Sequence, residues 1–225
     1  KNPRVKREVG GILVQDGSHH NRVKGNIVTG SQSGGGILVK GSNHNTVKKN
    51  TVRRFNEGIV LYRDADYNLV KRNTVTGNTR SGINVLTDND WNTVKKNRVL
   101  SNGGSGILVQ DGSTNNTVTD NRIDRSAHAG IWVNGTSRTE IASNQIKRSG
   151  WQGIAVYTST NTHIAQNRVN RNSLTGILLG RHTTETALNA NRALRNGGSG
   201  IAVQNADTTL KKNKANNNAL LGISA

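Results

Sequence analysis

The sequence contains no cysteine, no methionine and one proline, and aromatic side chains make up only 3% of its 225 residues. Without cysteine there are no disulfides, thiolate metal sites or thiol nucleophiles, and the redox compartment stays open. One proline excludes a proline-rich linker. Acidic residues are scarce too: 13 Asp and Glu stand against 31 Lys and Arg, a formal net charge of +18. Such a balance says little about fold but favours polyanionic partners, whether acidic polysaccharide, nucleic acid or an anionic surface. Hydrophobic residues reach 32%, too few for a two-layer globular core. No apolar run approaches the roughly 18 residues of a membrane span. The chain opens Lys1-Asn2-Pro3 with no signal-like stretch, so a soluble protein, or a processed or excised piece of one, is expected.

Glycine is plentiful, at 26 residues, and it is ordered by a repeat. Gly82-Ile83-Asn84-Val85, followed by Asn92-Thr93-Val94-Lys95-Lys96-Asn97-Arg98-Val99, recurs with small changes along the whole chain. Rungs open at Gly11, Gly36, Gly58, Gly82, Gly106, Gly130, Gly153, Gly176, Gly200 and Gly222, and a period of that size is the signature of a solenoid. Aliphatics at one and three residues past each glycine give the period-2 pattern of a strand with one buried face. A second short strand ends in Val23, Val47, Val70, Val94 and their equivalents, and three residues later stands an asparagine: Asn26, Asn50, Asn73, Asn97, Asn121, Asn144, Asn167, Asn191 and Asn213. A third short strand follows. Asparagine tolerates left-handed turns, and stacked amides can bond along a column. The glycine is expected where φ is positive or backbones approach closely. One all-β domain over 1–225 is expected, a solenoid of nine to ten rungs with three strands each. It carries a four-rung internal duplication, because Gly11 to Ser18 returns as Gly106 to Ser113.

The Gly-Ile-x-Val and Asn-x-Val-x-x-Asn-x-Val pattern resembles the right-handed parallel β-helix repeat of the pectate lyase-like superfamily. That superfamily includes pectate lyases, polygalacturonases, alginate epimerases and lyases, phage tailspikes and carbohydrate-binding and sugar-hydrolase repeat proteins. The resemblance covers essentially the whole chain and implies a secreted or cell-envelope location, with substrate lying along the outer face of the first strand of each rung. Its motifs are structural and do not specify an activity. The paired-aspartate motif of polygalacturonases and the Asp-Pro-His motif of epimerases are missing.

On that outer face, Leu13, Leu38, Val60, Leu108 and Leu178 form an apolar column, expected to be covered or to face a second subunit. Tyr62, Trp132 and Tyr157 break it as sugar-stacking candidates. In the turn that follows, Asp64, Asp66, Asp88 and Asp90 fall within two rungs, with Asp111 close by. Their second-half counterparts by counting are Ser159, Asn161, His182 and Thr184. Oxygen ligands in that number suit Ca²⁺, the one metal expected in a protein that otherwise requires no cofactor. Carboxylates one rung apart also come near the roughly 5 to 5.5 Å of retaining glycosidases. Asp64 and Asp88, with Arg63 and Lys40 as base or anion-neutralising groups, are therefore the catalytic candidates. The plain alternative is that aspartate makes good turns. The six histidines are scattered among turns, and no transition-metal site is expected from them.

The cations are ordered as well. Lys48-Lys49, Lys71-Arg72 and Lys95-Lys96 occupy one position in three consecutive rungs, and Arg125, Arg148, Arg171 and Arg195 another in four. Like charges one rung apart repel, so a polyanion along the rod would relieve them and binding would weaken with salt. A solvated surface that protects β structure from aggregation is the alternative. Sparse aromatics on these faces argue against single-stranded nucleic acid. Two functions are carried forward. One is binding, and as an enzyme processing by a lyase, epimerase or glycoside hydrolase mechanism, of an acidic polysaccharide. The other is a non-catalytic, adhesin-like or engineered solenoid scaffold, oligomeric through the apolar column. The lack of an enzyme motif favours binding or structure over turnover.

Overall fold

Alternation between an aliphatic and an outward residue makes each repeat segment a strand, and glycine or a left-handed residue at each corner turns the chain through about a third of a circle. A computed structural model describes residues 10–204 and 207–225. Among the described residues there are twenty-eight strands and no helix. The first rung is β1 (Ile12–Gln15), β2 (Arg22–Lys24) and β3 (Ile27–Thr29). Triplets repeat to β25 (Ile201–Val203), β26 (Thr208–Lys211) and β27 (Lys214–Asn216), and β28 (Ile223–Ser224) opens a tenth rung. Every third strand pairs in parallel, giving a first sheet of ten strands and a second and third of nine. The result is the expected right-handed β-solenoid.

Pairing is in exact step with the repeat: Ile12 lies beside Ile37, Ile37 beside Ile59, Ile59 beside Ile83 and Ile83 beside Ile107. These isoleucines and the valines of the other two sheets form one axial core, and most are wholly buried. Each such side chain contributes about 1.5 to 3 kcal/mol of burial free energy. Because every rung buries its residues against the next, a low hydrophobic content suffices.

The rung-opening glycines serve close approach and not positive φ. A Cβ at Gly58 would lie 2.3 Å from the Gly82 carbonyl oxygen and 2.4 Å from Val75 Cγ1. The ladder asparagines likewise do not take the left-handed conformation; the residue before each one does, as at Lys49, Arg72 and Lys96 with φ of 55°, 54° and 55°. The asparagine's task is hydrogen bonding. Asn97 Oδ1 accepts from the backbone N–H of Asn73 at 2.9 Å and from its Nδ2 at 3.0 Å, while Asn97 Nδ2 donates to the Val70 carbonyl at 3.0 Å and to Asn121 Oδ1 at 3.0 Å.

There are more ladders than the sequence repeat announces. A second runs through Asn45, Asn68, Asn92 and Asn116 where the chain enters the second sheet. A third, at the corner leading to the next rung, uses Asn78 and Asn102, then Asn172, Asn196 and Asn218, with Ser126 and Ser149 between. These amides satisfy buried backbone N–H groups from the rung beyond, and the third ladder is interrupted at Ser126 and Ser149, whose buried hydroxyls make no hydrogen bond.

Candidate functional site

The first corner holds the acidic residues, and the structure divides them. Asp66 Oδ1 accepts the backbone N–H of Asp90 at 2.7 Å, and Asp90 Oδ1 accepts that of Thr114 at 2.7 Å. Asn43 Oδ1 does the same for the N–H of Asp66 at 2.8 Å. These carboxylates cap backbone groups, as turn residues do. Asp64 and Asp88 are exposed and left-handed, both with φ of 52°, and the Asp88 carboxylate lies against Gly112. Burial raises the pKa of Asp66 above the ordinary carboxylate range. The Asp90 N–H opposes that rise, the Asp90 and Asp64 charges add to it, and His44 opposes it.

Calcium at Asp64, Asp66, Asp88 and Asp90 is not supported. Among the described residues no three acidic or histidine side chains come together as a metal-holding group, because two of the four carboxylates are turned to the backbone. The counting of second-half counterparts is corrected. The Asp66 and Asp90 line continues through bridges linking Thr114, Ser137, Thr160 and Thr184, so Thr160, not Asn161, holds that place in a rung one residue shorter.

Lys40 stands beside Tyr62 in register, and the Arg63 guanidinium sits 5.0 Å from the Tyr62 ring centroid. Those three meet at the exit of the first sheet, with Asp64 next in the chain. Trp132 and Tyr157 lie together, 5.1 Å apart, but three and four rungs beyond Tyr62. Two residues overlooked in the sequence complete their cluster. Trp151 stacks on His128 at 4.5 Å and reaches Trp132 at 6.2 Å. With Ser81, Ser105, Gln110 and Asn134 they line an open groove of about 370 Å³ on the first sheet. Burial raises the pKa of Tyr157.

A second aromatic set was also missed. His20, His44, Tyr67 and Trp91 stack along the first corner at 5.1, 5.0 and 6.2 Å. Each directly precedes an asparagine of the second ladder, and that constant offset was the available signal. Their mutual stacking occupies the faces a sugar ring would need, which leaves the edges exposed.

Along the apolar outer column Val60 and Leu178 are buried within the single chain, Leu38 and Leu108 are half-buried, and Leu13 at one end is exposed.

The cations fall into true columns. Lys24, Lys48, Lys71 and Lys95 are direct neighbours on the second sheet. Lys49, Arg72 and Lys96 stand exposed at the second corner beside them. The pKa of Lys48 is held below the usual lysine range by partial desolvation and then by the charges of Arg22, Lys71, Lys24 and Lys49.

Arg125, Arg148, Arg171 and Arg195 occupy the third corner, all left-handed. Arg148 alone of these is neutralised. Its Nε donates to Asp124 Oδ1 at 2.8 Å and its Nη2 to Oδ2, and Lys147 Nζ lies 3.7 Å from the same carboxylate. Burial would raise the Asp124 pKa, but the hydrogen bond from Arg148 and the charges of Arg148, Lys147 and Arg125 outweigh it and hold it below the ordinary range. Both ion pairs found among the described residues end on Asp124. Beyond them, Lys147, Arg171, Arg192, Arg195 and Lys214 line an open cleft of about 420 Å³.

The family described as "Right handed beta helix region" matches residues 2–146 and 121–225 of the chain. No curated protein sequence matched it. Among solved structures, the periplasmic alginate epimerase AlgG superposes with a TM-score of 0.75 at 19% identity, covering 83% of this chain and 47% of that one. An alginate lyase from Paenibacillus sp. str. FPU-7 gives 0.65 at 11%, covering 88% and 80%. Tailspike protein 2 of the Escherichia coli O157:H7 bacteriophage CAB120 gives 0.70 at 13%, covering 90% and 34%. The chain spans about half the length of the epimerase, and at these identities the likeness is one of fold.

Proposed function

The chain belongs to the right-handed β-helix family, and on that premise we propose that it binds an acidic polysaccharide along its outer face, with binding and not turnover as its activity. The observation that carries this reading is the set of in-register cation columns that, among the described residues, no acidic side chain but Asp124 neutralises. Held one rung apart, such charges repel, and a polymer with regularly spaced carboxylates relieves every rung it crosses. Structural neighbours named for alginate, a polyuronate, support the substrate class. Lys71 and Lys95 on one column and Arg125, Arg148, Arg171 and Arg195 on the other are the carboxylate-binding residues. Trp132 and Tyr157, backed by Trp151 and His128, offer ring-stacking contacts on the first sheet, and Tyr62 a smaller one beside Arg63.

Binding is favoured over turnover because the sequence carries neither the paired-aspartate motif of polygalacturonases nor the Asp-Pro-His motif of epimerases. Lys40, Arg63, Asp64 and Asp88 remain the residues to which any uronate elimination is assigned, and ultraviolet absorbance of unsaturated product from polygalacturonate or alginate tests them. The binding itself is read by retention on immobilised polygalacturonate. The protein is expected to be held at low salt and released along a linear plot of log affinity against log salt. Passage through the column at low salt would overturn the proposal.

A further inference from the structure

The cations change corner partway along the rod, and the change is abrupt. At the second corner Lys49, Arg72 and Lys96 follow one another, and the next residue in that line is Asp120, then Ser143, Gln166 and Ala190 before Lys212 in the ninth rung. At the third corner the order is reversed. After Arg54, Gly77 and Ser101 leave the position uncharged until Arg125, and arginine then fills it through Arg195. One column ends in the rung of Lys96, and the other begins in the rung of Arg125.

Between the two ends lies the outer face of the third sheet, and it is bridged. Arg98 and Arg122 are paired neighbours there, both exposed. Arg98 is two residues past Lys96, with buried Asn97 between them, and Arg122 is three before Arg125. Thr74 precedes the pair in its line and Gln145 follows it, and beyond Gln145 the charge resumes with Arg168, Arg192 and Lys214 beside the third-corner arginines. Asp120 sets a negative charge where the second-corner column would otherwise continue. Asp124 is buried and taken up by Arg148 and Lys147, so it does not interrupt the surface.

We propose that these residues form one continuous oblique track, on which a single polyanionic chain enters along the second corner, crosses the third sheet over Arg98 and Arg122, and leaves along the third-corner arginines. The inference rests on the acidic-polysaccharide reading and adds the path and its direction, on a face away from the first-sheet groove. Six rung spacings along the axis and about five residues across give a track of roughly 33 Å. A short anion reaches only one limb. A longer chain joins both, and its second engagement is intramolecular, which raises affinity without any new kind of contact.

The test uses the full chain and two oligogalacturonates, one shorter than about 15 Å and one longer than about 35 Å, with stoichiometry and affinity read by titration calorimetry. The long oligomer should bind one to one and more tightly than the short one. Arg98→Ser with Arg122→Ser should weaken the long oligomer by at least about tenfold and change the short one by less than about twofold. Arg98→Lys with Arg122→Lys should keep most of the long-chain affinity, because the track needs charge there. Both positions are exposed, and thermal melting confirms that the variants fold. Two long chains per protein, an unchanged long-chain affinity in the serine variant, or equal weakening of both lengths would each overturn the track while leaving polysaccharide binding in place. Failure of the unaltered protein to bind either oligomer would overturn the underlying reading and the track with it.

Discussion

Rungs two to four and rungs five to eight share one backbone and differ in almost everything that faces outward. In the earlier rungs the first corner is built from Asp66, Asp90 and the stacked His44, Tyr67 and Trp91. In the later ones Thr114, Ser137, Thr160 and Thr184 bridge directly at the same line. Three consecutive cations fill the second corner in the earlier rungs, where the third corner carries Arg54 alone, and four arginines fill the third corner in the later. The ladder through Asn73, Asn97, Asn121, Asn144 and Asn167 passes across the boundary unchanged. What the rod requires for folding is therefore held constant along its inside, and surface chemistry is free to vary by half. A difference between the halves is evidence about the surface, and a likeness is evidence about the fold.

The strongest way to break that division is to attack the ladder in each half. Asn97→Ala leaves the Asn73 N–H and the Val70 carbonyl without their partners, and Asn167→Ala does the same to the Asn144 N–H and the Ile141 carbonyl. Each buried group left unsatisfied costs about 1 to 3 kcal/mol, so each variant should lose roughly 2 to 5 kcal/mol in denaturant unfolding, and the two should agree. Lys96→Ala, one residue from Asn97 but exposed, should stay within about 0.5 kcal/mol. A ladder variant that is harmless in one half would show that the halves are not held by the same device.

Asp124→Asn probes the ion pair that only the later rungs possess. Arg148 is 46% exposed, so solvent screening limits the loss to about 1 to 2 kcal/mol at neutral pH. The folded-state pKa lies below the unfolded one, so the contribution is fully present above about 3.9 and disappears as pH falls through the folded value. Unfolding curves of the protein and the variant should converge in acid. A gap that stays constant with pH would mean that Asp124 acts by packing and not by charge.

The inside of the rod was legible because its constraints repeat. Gly58, Ile59 and Asn97 stand at positions where every rung meets the same neighbour, so periodicity alone revealed them. Even so, the sequence pattern gave the left-handed corner to Asn97 when Lys96 takes it, because a period says which residues are alike and not which backbone angle each adopts. The surface was legible only where it also repeats. Lys71 and Lys95 were visible as a column, whereas His128 and Trp151, each two residues before a rung-opening glycine, hold a position whose residue type changes from rung to rung, and Trp151 meets Trp132 only through folding. Spacing alone suggests calcium ligands in the acidic cluster, because it places carboxylates in one region without saying that Asp66 and Asp90 turn toward backbone N–H groups.

The smallest expected effect tests that last point and the earlier rungs' first corner together. Burial sets the folded-state pKa of Asp66 above its unfolded value. Its ionised form is therefore penalised in the fold. The penalty is absent below the unfolded pKa of about 3.9, grows as pH rises, and is complete above the folded value. Asparagine keeps an oxygen to accept the Asp90 N–H, as Asn43 does for Asp66 itself at 2.8 Å, and carries no charge. Asp66→Asn should therefore raise stability at pH 7 by at most about 0.5 kcal/mol, after discounting for solvent, and leave it unchanged below pH of about 3. Millimolar Ca²⁺ should shift neither melting curve. Loss of stability at pH 7, together with a calcium-dependent rise in the unaltered protein that the variant lacks, would restore the cluster as a cation site and make the first corner, and not the third sheet, the place where the two halves differ in function.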